Sequence, residues 1–201
     1  MTAASDIDPL LGHVSTADLA AMTAQLGRAP RGAVAVAHRC PCGQPDVVRT
    51  VPRLPDGTPF PTTYYATCPR LTSAISTLES DGRMRAMQDR LVGDHALAEA
   101  YHRAHERYLA DRAELGHVTE IEGISAGGMP TRVKCLHVLV AHSLAAGAGV
   151  NPFGDEALAA LEPWWLTPCS SADPAAAADP DGPVAPDAPD DFEALAPKEL
   201  L

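Results

Sequence analysis

Three short runs rich in β-branched or aromatic residues constrain this chain most: AVAVAHR at 33–39, DVVRTV at 46–51 and TYYAT at 63–67. The segments between them, CPCGQP and PRLPDGTPFPT, are dense in Pro and Gly, so the stretch reads as three strands of an antiparallel meander. Helical spacing surrounds it. Ser15 and Asp18 resemble a cap and an acidic first turn for a short helix bearing Leu19, Met22 and Leu26 and ending at Gly27. After Cys68-Pro69, LTSAISTLES runs to Gly82 and MRAMQDRL to Gly93, and Asp94 caps a longer run to Leu115. In that run Leu97, Tyr101, Ala104, Tyr108 and Leu115 form one apolar stripe suited to packing on the rest of the domain. The loop GISAGGMP then leads into a helix expected from Thr131 to Ala146, with Pro130 ahead of it and Gly147 and Gly149 stopping it. A last short helix in NPFGDEALAALEPWW brings two tryptophans that are expected to close the core.

These elements define an α+β fold, a small antiparallel three-stranded sheet covered by several helices. The length of 201 residues suits one domain with extensions. Residues 1–14 are expected as a flexible N-terminus, 15–166 as the single domain, and 167–201 as a disordered, acidic, Pro/Ala-rich tail. The tail has too little apolar surface to offset the entropy of ordering it. It also carries most of the net charge of −11, with eight acids against one Lys beyond residue 169.

Between residues 28 and 70 the balance reverses: Arg28, Arg31, Arg39, Arg49, Arg53 and Arg70 face only Asp46 and Asp56. Nucleic-acid surfaces carry a larger basic excess with interleaved aromatics, so this stretch better suits a small anion or an acidic protein partner. No apolar run approaches the ~20 residues of a membrane span, and MTAASDIDPLL lacks the order of a signal peptide. The expected location is the cytoplasm, where cysteines stay reduced and serve as ligands, reactive thiols or small buried hydrophobes.

Cys40, Cys42, Cys68 and Cys135 each lie beside a turn or the end of an element. Knuckle-like turns such as RCPCG and TCP let backbones approach closely enough for thiolates to converge on one metal. A four-thiolate site is therefore expected from these residues, holding zinc or an iron-sulfur cluster, with small buried hydrophobes as the alternative. His38, which alternates with Cys40 and Cys42, and His137, two residues after Cys135, are possible additional ligands. His142 is seven residues from Cys135, about 10 Å along a helix, and reads instead as a core or partly exposed imidazole. Cys169, at the entrance to the tail, is expected to stand apart.

Two other groups carry chemistry. Gly127 and Gly128, ahead of a helix bearing Arg132 and Lys134, could bind an anion such as a phosphorylated ligand. Glu99-x-x-His102 and Glu114-x-x-His117 spell a di-iron motif, but they share one segment rather than two facing helices and read as a solvated face.

Five segments, QLGRAPRG (25–32), RCPCGQP (39–45), PRLPDGTPFPTTYYATCPRL (52–71), GGMPTRVKCLHVLVAH (127–142) and GVNPFGDEAL (149–158), together resemble an actinobacterial family of uncharacterised proteins. It is the domain-of-unknown-function family numbered five hundred and one. The resemblance implies a small cytoplasmic protein and, through the neighbourhood of the family's genes, a link with cell division or phosphate metabolism. Three functions stay open: a metal-stabilised module binding an anion or acidic partner, a metal-dependent enzyme acting on a small anionic substrate, and a thiol redox protein without metal. Four protein ligands at the metal would argue for the module, three and a pocket for the enzyme.

Overall fold

In a computed structural model, residues 14–167 and Cys169 are described. The expected flexible segment, apart from residue 14, and nearly all of the acidic tail lie outside the described residues. Helix α1 (Thr16–Leu26) opens the order, with the Ser15 hydroxyl accepting the Asp18 amide at its start. Strands β1 (Ala33–Arg39), β2 (Pro45–Thr50) and β3 (Tyr64–Ala66) follow. Helices α2 (Pro69–Ser80), α3 (Arg83–Gly93), α4 (His95–Ala113), α5 (Leu136–Ala146) and α6 (Pro152–Ala160) complete the described chain, with short 3-10 turns at Thr119–Ile121 and Trp164–Leu166.

The sheet is antiparallel throughout, in the order β1-β2-β3, so the meander is present and the fold is α+β. Register shifts interrupt the β1–β2 pairing between Ala33 and Ala35 and around His38. The central strand is buried along nearly its whole length. Since neighbouring side chains of a strand point to opposite faces, burial of both Val47 and Val48 means that both faces are covered. Helix α5 packs against all three strands, and α1 packs on β2 with Met22 fully buried.

The stripe on α4 behaves as its spacing predicts. Tyr101, Ala104 and Tyr108 are all fully buried. The Tyr108 hydroxyl accepts the Thr63 amide at 2.6 Å, and Tyr64 of β3 donates to Asp111 of α4 at 2.8 Å, so the helix is joined to the third strand by polar contacts under the apolar ones. Arg112, also buried, donates to the carbonyls of Ile121, Ile124 and Pro61 and gathers the chain that leaves the helix.

Helix α5 begins at Leu136, five residues later than its sequence pattern suggests. Residues 131–134 are held in a loop by other partners: Gln88 of α3 accepts the Val133 amide and donates to the Thr131 carbonyl, while the amides of Arg132 and Lys134 donate to the carbonyls of Gly128 and Gly127. A helix would have required those groups for its own ladder. The tryptophans also divide: Trp164 packs against the core, whereas Trp165 is 37% exposed.

Candidate metal centre

Strand β1 ends at Arg39, and the chain turns back into β2 through a tight hairpin closed by the Cys40 amide on the Gln44 carbonyl (2.9 Å) and the Gly43 amide on the Cys40 carbonyl (2.7 Å). That turn places Cys40 and Cys42 at one end of the sheet. Antiparallel pairing brings the outgoing end of β3 toward the start of β2, where the Thr67 amide donates to the Asp46 carbonyl. Cys68, next in the chain, is the N-cap of α2, with Pro69 in the first helical position. Two strand ends thus deliver three thiols to neighbouring places.

A fourth arrives from a distant part of the sequence. After the Trp164–Leu166 turn, which packs against α2, the chain brings the Cys169 sulfur to 2.8 Å from Cys68 and 3.2 Å from Cys40. The sulfurs of Cys40, Cys42 and Cys169 all lie within 4.8 Å of one another. Cys40, Cys68 and Cys169 are buried and Cys42 is half-buried. All five cysteines are free thiols.

Burial pushes the Cys40 and Cys169 thiols up, because a thiolate loses its hydration there. Cys42 goes the other way. Burial opposes its ionisation too, but the backbone amides of Cys169 and Gln44 and the neighbouring thiols stabilise the anion and bring it down to about 7. One anionic sulfur held by amides, among thiols that resist ionising alone, is a donor set a cation would complete.

Cys135, expected among these four, lies elsewhere: its sulfur groups with Glu79 and His137, and Cys169 takes the place assigned to it. Cys169, expected to stand apart, instead approaches Cys68 and Cys40, although its neighbourhood, TPCSSADP, reads as the start of a polar tail. The one signal was the Pro beside the thiol, as in RCPCG and TCP. His38 does not join the sulfurs either. Its Nδ1 lies 2.7 Å from Asp46 Oδ1, a carboxylate with no exposure, so the ring pairs across the β1–β2 hairpin.

At the other end of α2 stands a second group. Cys135 is the N-cap of α5 and His137 sits in its first turn. His137 Nδ1 is 3.8 Å from Cys135 Sγ and 3.3 Å from Glu79 Oε1. The Cys135 thiol and the Glu79 carboxylate, acting against burial, hold the imidazole at about 10. Glu79 was not singled out from the sequence, although Thr72, Ser76 and Glu79 recur at three-four spacing and give α2 a polar face on which His137 rests.

The loop at Gly127 and Gly128 is a close turn. Gly128 has φ +90°, and a Cβ there would meet the Arg132 carbonyl oxygen at 2.7 Å. The amides of Arg132 and Lys134 are already engaged, and the first amide of α5, that of Leu136, donates to Glu79 at 2.6 Å. A carboxylate therefore occupies the helix N-terminus at which an anion was expected. The two motif histidines fit the solvated reading, His102 exposed beside Glu106 at 3.6 Å and His117, beyond the helix, exposed beside Glu122, whereas His105 of α4 is buried against Ser125. His142 is fully buried between Tyr64 and Tyr108. Among the described residues no helix is long and apolar enough to cross a membrane.

The class defined by this arrangement is a small α+β domain with a thiol cluster at one end of its sheet, capable of holding a metal ion. Residues 36–159 match the family model described as "Protein of unknown function (DUF501)", and the chain belongs to that family. Cys40, Cys42, Cys68 and Cys135 fall within the matched span and Cys169 beyond it. Neither the curated proteins nor the solved structures searched contain a match.

Proposed function

We propose that this protein is a metal-stabilised module in which one zinc ion joins Cys40, Cys42, Cys68 and Cys169. The observation that carries the reading is the approach of the Cys169 sulfur to those of Cys68 and Cys40, at 2.8 and 3.2 Å. Tetrahedral zinc with bonds of ~2.3 Å sets sulfurs about 3.8 Å apart, so binding requires Cys169 to move outward from Cys68 and Cys40, and Cys68, which stands outside the grouping of Cys40, Cys42 and Cys169, to close in on Cys40 and Cys42. An iron-sulfur cluster interposes iron and sulfide between its cysteines and holds them farther apart, which favours the single ion. With four protein ligands the ion has no position left for a substrate, and its role is to fix the fold.

Such a module would act through its surface, in the cytoplasm, where reduced thiols favour metal over disulfides. An acidic partner or a phosphorylated ligand would have to displace carboxylates from the arginine-rich stretch, because Arg31, Arg39, Arg49 and Arg53 already pair with Asp56, Asp18, Glu114 and Glu120. The test is anaerobic purification followed by metal analysis and an absorption spectrum. A colourless protein containing zinc supports the reading, and a visible band with iron replaces it by a cluster. A metal-free protein with a Cys68–Cys169 disulfide would favour the thiol redox reading, which the same short separation suits.

A further inference from the structure

The group at Glu79, Cys135 and His137 has the layout of ligands rather than of a catalytic triad. In a triad the nucleophile and the carboxylate meet opposite nitrogens of the histidine, so that a proton passes along the ring. Here both converge on the same nitrogen. His137 Nδ1 is 3.3 Å from Glu79 Oε1 and 3.8 Å from Cys135 Sγ, and the three ligating atoms lie within 4.8 Å of one another. With zinc bonds of ~2.0–2.3 Å, the two distances from Nδ1 correspond to angles of about 105–120° at a common ion, close to tetrahedral.

The surroundings orient each ligand. His137 Nε2 lies 3.1 Å from the Thr72 carbonyl, and a carbonyl only accepts, so Nε2 keeps its proton and a zinc ion would replace the proton of Nδ1 at the point where the three atoms meet. The Glu79 oxygen is steadied by the Leu136 amide at 2.6 Å. Cys135 is set by its place at the N-cap of α5.

Cys135 and His137 also line a cavity of about 480 Å³. Its other walls include Gln25, Thr62, Tyr65 and Thr67, with Leu26 and Val138 as apolar surface, and no Asp, Glu, Lys or Arg is among the lining residues. An ion there with one thiolate and one carboxylate is formally neutral, and nothing in the wall compensates a charged ligand.

We propose that Glu79, Cys135 and His137 hold a second zinc ion with one coordination position open to this cavity, and that the position takes the oxygen of a small uncharged polar molecule. This site is independent of the four-cysteine centre: either can be absent without the other. Three protein ligands and a pocket are the arrangement of a zinc that meets substrate.

The experiment is zinc content of the intact chain after equilibration with zinc and removal of the excess, for the unaltered protein and for Cys135→Ser, His137→Gln and Glu79→Gln. About two ions per chain are expected for the former, and about one for each variant with an unchanged circular dichroism spectrum. Unaltered protein that keeps the same zinc content when Cys135 is replaced overturns the proposal. Should the variants misfold, peptide-mapped alkylation of the unaltered protein gives the answer, since added zinc must slow modification of Cys135, and an unchanged rate refutes the site. Loss of metal confined to Cys42→Ser would support the four-cysteine centre alone. For the open position, the probe is acetamide added to cobalt-loaded protein. A shift in the cobalt bands that Cys135→Ser abolishes is expected, and no shift contradicts an accessible position.

Discussion

The sulfur of Cys169 lies 2.8 Å from that of Cys68, 101 residues earlier in the chain. A bond through a shared ion at that point would close a loop containing five helices of the described structure, and long loops are those whose closure most constrains the unfolded chain. Cys68 begins α2, and Cys169 follows the Trp164–Leu166 turn that packs on the same helix, so one ion would tie the last described residue to the sheet-helix junction.

Where the chain is cut should therefore matter at the scale of a few residues. Truncation after Leu166 removes a polar segment that could be dispensable on composition, yet it also removes the fourth sulfur. We expect it to lower the melting temperature and release the metal, whereas truncation after Ser171 should do neither. Thermal unfolding of the two shortened proteins beside the full chain checks this, and identical behaviour of both would assign Cys169 no part in stability.

The crossing of α5 and α6 turns on a single glycine. A Cβ at Gly154 would come 2.7 Å from the Leu139 carbonyl carbon and closer still to its oxygen and to Ser143 Oγ, in a region where backbone cannot give way. Gly154→Ala should cost at least the ~1–3 kcal/mol typical of overpacked cores, read as a drop in the denaturation midpoint. Gly147→Ala, whose Cβ would meet nothing within 4 Å but whose φ is +94°, should be strained by its backbone alone.

His142 links stability to pH. Burial pushes its imidazole down to about 4, and its Nδ1 lies 3.3 Å from Asn151 Nδ2 between the rings of Tyr64 and Tyr108. Asp111 and Asp155 favour the cation and Arg107 disfavours it, each less than burial does. Because the folded value lies below the ordinary ~6.5, the unfolded chain binds the proton first as pH falls. The contribution is complete above about pH 6.5 and is lost toward pH 4, by up to about 3 kcal/mol. Urea titrations at pH 7 and pH 4.5 should show this loss in the natural protein. His142→Phe, which leaves the Asn151 donor without its partner, should be less stable at pH 7 but flatter across the same interval. An equal slope in both proteins would assign the acid sensitivity to other groups.

The meander was legible because its turns are marked by Pro and Gly on both sides of each strand, and α4 because Tyr101, Ala104 and Tyr108 repeat on one face. The start of α5 was not. Residues 131–134 have helical composition, and Gln88 and Tyr101, from other helices, together with the Gly127 and Gly128 carbonyls, divert their backbone groups. The cysteine site was legible in its local half, since Cys40, Cys42 and Cys68 announce themselves by turns. Its remaining thiol depended on where the chain returns after α6, which residue spacing does not encode. Glu79 escaped notice for a related reason: its role is fixed by packing of α2 against α5, not by neighbours in sequence.

The most direct measurement of the central claim is zinc content and thermal unfolding of Cys169→Ser beside Cys42→Ser under reducing conditions. If one ion joins Cys40, Cys42, Cys68 and Cys169, each variant should lose about one zinc per chain and melt at a clearly lower temperature, since binding free energy is part of folding free energy. A Cys169→Ser protein that keeps its zinc and its melting temperature while Cys42→Ser loses both would contradict the account and remove Cys169 from the centre.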